Sequence, residues 1–223
     1  AKEEEIKTQK IIESVLFVGI LLVIGFLGFV YKQLSTTKKQ KVVIEEKQQE
    51  ISDSINYAKR IQDAMMTSSV YLKDTLPKSF IFFKPKDVVS GDFYWIYKDQ
   101  EENIFFTVAD CTGHGVPGAF MSMIGTSLLN EIIIEKGIKD TDKVLYEMRA
   151  QIIKSLGQEE EGAQKDGMDI SLCKLNMKKK TVEFSGAHNS LVHIRGEELK
   201  TYRGDHQPVG LLLGDKKPFT KHI

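Results

Sequence analysis

The sequence predicts an α+β domain built on an antiparallel sheet and carried behind a long helical region. Short apolar strands fall into two groups separated by a pair of amphipathic helices, instead of alternating with helices one by one. Neighbouring strands are joined directly by polar turns, as at Lys98-Asp99-Gln100-Glu101-Glu102. That suits antiparallel pairing, because parallel strands need long crossovers. Upstream, residues 33–66 contain no proline or glycine, so one helix can run uninterrupted toward the domain.

Residues 1–10 read as a juxtamembrane segment and 11–31 as a transmembrane helix. Every residue in 15–30 is apolar or glycine, and Ile11, Ile12 and Tyr31 extend the run, close to the ~20 residues that cross a bilayer. A signal peptide fits poorly: Lys2-Glu3-Glu4-Glu5 is mixed in charge and no small-residue cleavage site follows. Lys32, Lys38, Lys39 and Lys41 follow the span while Lys2, Lys7 and Lys10 precede it, a modest bias that puts the C-terminal side in the cytoplasm. Residues 32–70 read as a helical stalk. Ile44, Ile51, Ile55, Ala58 and Met65 recur near the coiled-coil period, with Gln48 and Gln62 in the same seam. Such a stalk pairs with a second copy or leans on the following domain.

The globular domain is expected over 71–223, where prolines appear and aromatic residues concentrate. Strands are expected at 80–84, 92–97 and 103–109. Two helices follow, one with Phe120, Ile124 and Leu128 on a face with Met121 and Ile132, the other with Leu145, Met148, Ile152 and Leu156. A polar loop at 157–167 then leads to strands at 170–176, 182–185 and 191–194.

Lysine plus arginine and aspartate plus glutamate both number 31, so no basic footprint points to nucleic acid. Cys111 and Cys173 cannot make a disulfide framework and lack metal-ligand spacing, which suits a reducing compartment. The chain starts at Ala1 and stops in the strand-like Lys221-His222-Ile223, and it reads as a fragment at both ends.

Asp92 and Asp110 are the candidate site. Gly91 removes a side chain just before Asp92, and Asp110 ends the run Phe105-Phe106-Thr107-Val108-Ala109 one hairpin away. Two carboxylates on neighbouring strand ends, beside carbonyls of a glycine-rich turn, suit hard divalent cations. A pair of such ions about 3.5–4 Å apart activates water for attack on phosphorus. Each aspartate alone is also an ordinary turn or cap residue. Gly113-His114-Gly115-Val116-Pro117-Gly118 matches G-x-G-x-x-G with Glu131 downstream, so a dinucleotide-binding enzyme using Gly113, Gly115 and Gly118 is an alternative. Against it, Asp110-Cys111-Thr112 separates the strand from the first glycine, Glu131 falls in a helical pattern, and no parallel strand follows.

Cys111 lacks the basic neighbours of a phosphatase thiolate and reads as a packing residue. His114 braces its loop or relays a proton. His188, near a strand end, lacks the partners of a zinc site. Asp166 and Asp169 enter the next strand, where they meet the same cavity or form a plain turn. Lys84 and Lys86 attract a phosphate or serve as exposed strand-edge charge.

Ser90-Gly91-Asp92-Phe93-Tyr94-Trp95, Ala109-Asp110-Cys111-Thr112-Gly113-His114-Gly115, Asp166-Gly167-Met168-Asp169-Ile170-Ser171, Ser185-Gly186-Ala187-His188-Asn189 and Pro208-Val209-Gly210 follow one another in that order. The set resembles bacterial SpoIIE-type serine phosphatases of the metal-dependent protein phosphatase 2C superfamily, from about residue 80 to the end. Residues 54–62 are similar to the signalling helix that precedes such domains in membrane-bound members. The resemblance implies a four-layer αββα sandwich, here partial, and two Mn²⁺ or Mg²⁺ ions, with room for a third. By motif, Asp92 matches the acid that bridges the ions, Asp110 a ligand to one of them, and the Cys111 carbonyl the adjoining ligand. Asp166 and Asp169 lie near the place of a third ion. Members hydrolyse phosphoserine or phosphothreonine with metal-activated water and no phosphoenzyme, often on an anti-sigma factor antagonist.

One departure stands out. Further metal-binding aspartates are expected beyond Pro208-Val209-Gly210, yet Asp215 is followed by Lys216-Lys217-Pro218. Truncation would account for it, and the fragment itself is expected to bind metal poorly and to be nearly inactive. The expectation is therefore a single-pass protein of the bacterial inner membrane whose cytoplasmic serine/threonine phosphatase domain acts on a phosphorylated signalling partner. It is regulated through the stalk and can form a homodimer. The non-enzymatic rival is a pseudophosphatase that docks a phosphoprotein or mediates assembly.

Overall fold

A computed structural model describes residues 2–158, 165–211 and 217–223. The chain divides into two units, Ala1–Ser54 and Ile55–Ile223. The described part of the first is helical throughout and belongs to α1 (Lys2–Met65), whose most apolar window has a mean hydropathy of 2.6. That helix is long and apolar enough to cross a membrane.

In the second unit the end of α1 turns its apolar stripe inward. Ile55, Ala58 and Met65 are half-buried and Gln62 is 3% exposed, so from Ile55 onward the domain itself occupies the seam expected for pairing. A short helix, α2 (Ser69–Thr75), follows, with the Ser68 hydroxyl accepting the Tyr71 N–H at 3.2 Å as its N-cap. This region lies along β1 (Phe93–Lys98), an edge strand of the main sheet. Thr67 Oγ1 accepts the Ile96 N–H at 2.8 Å and the Tyr71 hydroxyl accepts the Lys98 N–H at 3.0 Å, satisfying donors that an edge strand leaves open.

The main sheet runs β1–β2–β3–β4, with β2 at Asn103–Cys111, β3 at Gly167–Asn176 and β4 at Thr181–Ala187. β5 (Leu191–Arg195) and β6 (Glu198–Tyr202) form a separate hairpin, and β7 (Val209–Gly210) pairs with the start of β3. All of these named pairings are antiparallel, as expected. Period-two alternation puts Phe93, Trp95, Phe105, Ala109, Met168, Ile170 and Leu172 in one core with α3 (Gly115–Leu129), a π-helical turn (Asn130–Glu135) and α4 (Thr141–Ser155). Leu145, Met148 and Ile152 of α4 are fully buried, each side chain contributing about 1.5–3 kcal/mol.

Several elements depart from expectation. Residues 80–84 form no strand, and Phe80 and Phe82 are 89% and 86% exposed; a short apolar run is not enough without a neighbouring strand to pair with. β6, β7 and α2 were not expected. Phe120, placed by periodicity on the buried face of its helix, is 59% exposed. The buried face instead carries small residues, Gly118, Ala119, Ser122, Gly125 and Thr126, beside Met121 and Leu128. Close approach explains this, since a Cβ on Gly125 would lie 2.8 Å from the Phe93 ring and 3.0 Å from the Met168 methyl. Most of the loop expected at 157–167 lies outside the described residues.

Candidate active site

Sheet register assembles the acids. Phe93, Ala109, Ile170 and Ala187 face one another across β1 to β4. One position further along, on the opposite face, come Asp92, Asp110, Asp169 and His188. Asp110 and Asp169 are direct register partners, and side chains so placed have Cβ atoms about 4.5–5.5 Å apart. The Asp92 and Asp110 carboxyl groups lie close enough to influence one another. Loss of hydration first, then the neighbouring Asp110 carboxyl group and its charge, raise the Asp92 pKa above the ordinary aspartate value.

Backbone geometry holds this pair in place. The Asp92 N–H donates to Ser90 Oγ at 3.0 Å. A Cβ on Gly91 would lie 2.8 Å from the Gly113 carbonyl oxygen and 3.3 Å from that of Cys111, and one on Gly118 would lie 2.6 Å from the Gly113 oxygen. Gly113 itself has φ +86°, which favours glycine. Gly118→Ala is therefore expected to cost about 1–3 kcal/mol through backbone displacement. An unchanged urea midpoint would show that the loop yields freely.

The Cys111 side chain is buried, and burial first, then Asp110 and Asp92, push its pKa up, which agrees with a packing residue and not a nucleophile. Burial likewise pushes Cys173 up to about 12. Asp169 Oδ1 lies 2.8 Å from His188 Nδ1, so this carboxylate is held by the histidine although it shares the Asp110 row. Asp166 lines a cleft of about 220 Å³ together with Asp110, Thr112, Lys165, Asp169 and Pro208. Thr112 ties the loop after β2 to the start of β3, its N–H donating to the Gly167 carbonyl at 2.9 Å and its Oγ1 accepting the Gly167 N–H at 2.9 Å. His114 is exposed and braced by Asp87 at 3.0 Å. Lys84 and Lys86 are exposed, and neither is among the described residues lining the cleft.

The neighbouring Asp92 and Asp110 carboxylates, with the Cys111 and Gly113 carbonyl oxygens crowded at Gly91, form a hard-oxygen donor set. It fits Mn²⁺ or Mg²⁺, of which Mg²⁺ usually keeps several waters in its shell. Among the described residues, no three His, Cys, Asp or Glu side chains converge to hold an ion. Asp215 lies outside those residues. The dinucleotide alternative does not survive the topology: that motif joins parallel strands, whereas β2 is flanked by antiparallel neighbours. Gly113 and Gly118 instead serve the close packing against Gly91.

Gln62 escapes a reading of the sequence because it occupies a polar seam position of a helix. Its Nε2 donates to the Ser90 carbonyl at 2.6 Å and to Ser122 Oγ at 2.7 Å, and its Oε1 accepts the Ser90 N–H at 3.1 Å.

The model of the stage II sporulation protein E (SpoIIE) family matches residues 100–222. Among solved structures, the SiaA PP2C domain of Pseudomonas aeruginosa is 31% identical with a TM-score of 0.67, the match covering 78% of this chain and 67% of that one. The PP2C phosphatase domain of SpoIIE from Bacillus subtilis, with a fragment of its regulatory domain, is 19% identical with a TM-score of 0.47, covering 62% of this chain and 39% of that one. No curated protein sequence matches. With a family match over more than half its length and a solved relative at this identity, the chain belongs to the SpoIIE family of PP2C-type phosphatase domains.

Proposed function

We propose that this protein is a metal-dependent serine/threonine phosphatase anchored in the bacterial inner membrane, acting on a phosphorylated signalling protein. The observation that carries the reading is the convergence of Asp92, just before β1, and Asp110, near the end of the adjacent β2, close enough that Asp110 raises the Asp92 pKa. These side chains, with the Cys111 carbonyl, would hold Mn²⁺ or Mg²⁺, which supplies an activated water and neutralises phosphate charge. Asp110 is the penultimate residue of β2 and Asp92 immediately precedes β1, which supports a spacing set by the sheet. Manganese-dependent release of phosphate from a phosphoserine peptide by the full-length protein tests the reading. A second reading, a pseudophosphatase that docks a phosphoprotein, draws on the engagement of Asp169 by His188, which takes that acid away from a metal ion. Phosphopeptide binding without hydrolysis would favour it.

The finer organisation belongs to the same proposal: residues 1–10 beside the membrane, 11–31 spanning it, a stalk over 32–70, and a cytoplasmic phosphatase domain over 71–223 that forms a partial αββα sandwich. The substrate is an anti-sigma factor antagonist, and stalks pair through positions before Ile55. Gln62 supports regulation through the helix, because it grips the Ser90 backbone and Ser90 in turn holds Asp92. Gln62→Leu leaves buried Ser90 groups without this partner, and is expected to cost about 1–3 kcal/mol and to weaken Mn²⁺ binding. Calorimetric titration showing unaltered Mn²⁺ affinity would separate Gln62 from the metal centre.

A further inference from the structure

The cleft beside Asp110 contains a cation for which the metal-centred reading has no task. We infer that Lys165 binds the phosphoryl group of the substrate, a phosphomonoester dianion, and so sets affinity for phosphorylated residues; this rests on the phosphatase reading above. Asp110, Asp166 and Asp169 line the same cleft of about 220 Å³, and Lys165 is the one basic side chain among its described lining residues. A dianion approaching three carboxylates is repelled, and ions gripped by Asp92 and Asp110 neutralise charge only where they sit. An ammonium on a flexible stem, with three N–H donors, supplies a complementary contact for phosphate oxygens.

Its position is fixed by the site, not by chance. Lys165 precedes Gly167 by two residues, and Gly167 is bonded through both its N–H and its carbonyl to Thr112, two residues after Asp110. The loop after β2 and the entry to β3 therefore hold Lys165 and Asp110 at one cleft. No arginine or lysine occurs in 111–118, and Lys84 and Lys86 are not among the described lining residues, so the phosphate-attracting role considered for those two passes to Lys165.

The test uses the full-length protein with Mn²⁺, a phosphoserine peptide, and inorganic phosphate as competing product. Lys165→Ala should raise KM and the phosphate inhibition constant about tenfold, as loss of one charge-assisted contact implies, with kcat within about twofold. Lys165→Arg should recover most of the loss, Lys165→Glu should deepen it, and Mn²⁺ affinity by calorimetry should not move. If the wild type hydrolyses peptide while Lys165→Ala leaves KM and phosphate inhibition untouched, the inference fails and the phosphatase reading stands. If the wild type is inactive yet binds phosphate calorimetrically in a Lys165-dependent way, the phosphatase reading fails and the phosphate site stands. Lys165-independent phosphate binding, or none, overturns the inference whatever the activity.

Discussion

Replacing Asp92 by asparagine is expected to lower Mn²⁺-dependent dephosphorylation by about 10³-fold, the rate equivalent of losing several kcal/mol of charge stabilisation. The change is nearly isosteric and keeps the N–H contact with Ser90, so the loss isolates the carboxylate charge. It should also leave the metal-free fold intact or slightly more stable. The Asp92 pKa is raised, so the folded protein holds that proton more tightly than the unfolded chain. The associated stability is fully present below the ordinary aspartate value of about 3.9 and is lost as pH rises through the raised value. A neutral amide at this position escapes that loss, so metal-free melting curves of wild type and variant should diverge with rising pH, in favour of the variant. Near-normal turnover by the variant would take Asp92 out of the site. A variant that melts lower at neutral pH would make the carboxylate a structural group.

Phe93→Ala is expected to remove about 3–5 kcal/mol of stability from the globular unit, a large share of what domains of this kind possess. Phe93 is 2% exposed and sits against Gly125, where the helix backbone comes too close for any side chain on the facing position. Truncation opens a cavity that rigid neighbours on β2 and α3 cannot readily fill. Urea unfolding followed by the fluorescence of Trp95 reads the cost; a loss below about 1 kcal/mol would mean the core closes over the gap. Phe120→Ala provides the contrast, since that exposed ring should change stability by no more than about 0.5 kcal/mol.

These two aromatics also mark where the sequence is legible. The strands through Phe93 and Trp95, and through Phe105 and Ala109, are legible as short apolar runs joined by a polar turn, and these four residues share one core in the sheet. Helix periodicity identifies α4 through Leu145, Met148 and Ile152. It misplaces Phe120 because α3 packs through glycine and small residues, and side-chain size then runs opposite to burial. Asp92 and Asp110 are legible because each ends or precedes a strand joined by one hairpin. The Asp169 and His188 contact is not, since it depends on the register between β3 and β4 across residues nineteen apart. Gln62 and Lys165 depend on tertiary packing alone: a polar residue in a helical seam and a lysine before a glycine carry no local signature of what they touch.

Thr67 and Tyr71 bear on how the protein behaves in solution. Their hydroxyls cover N–H groups of β1 that otherwise face outward as an unpaired border. A shortened version beginning after Tyr71 would offer that border to other chains, and it should be prone to aggregation through strand-to-strand contact. The helix leading into the domain thus doubles as a guard of its solubility.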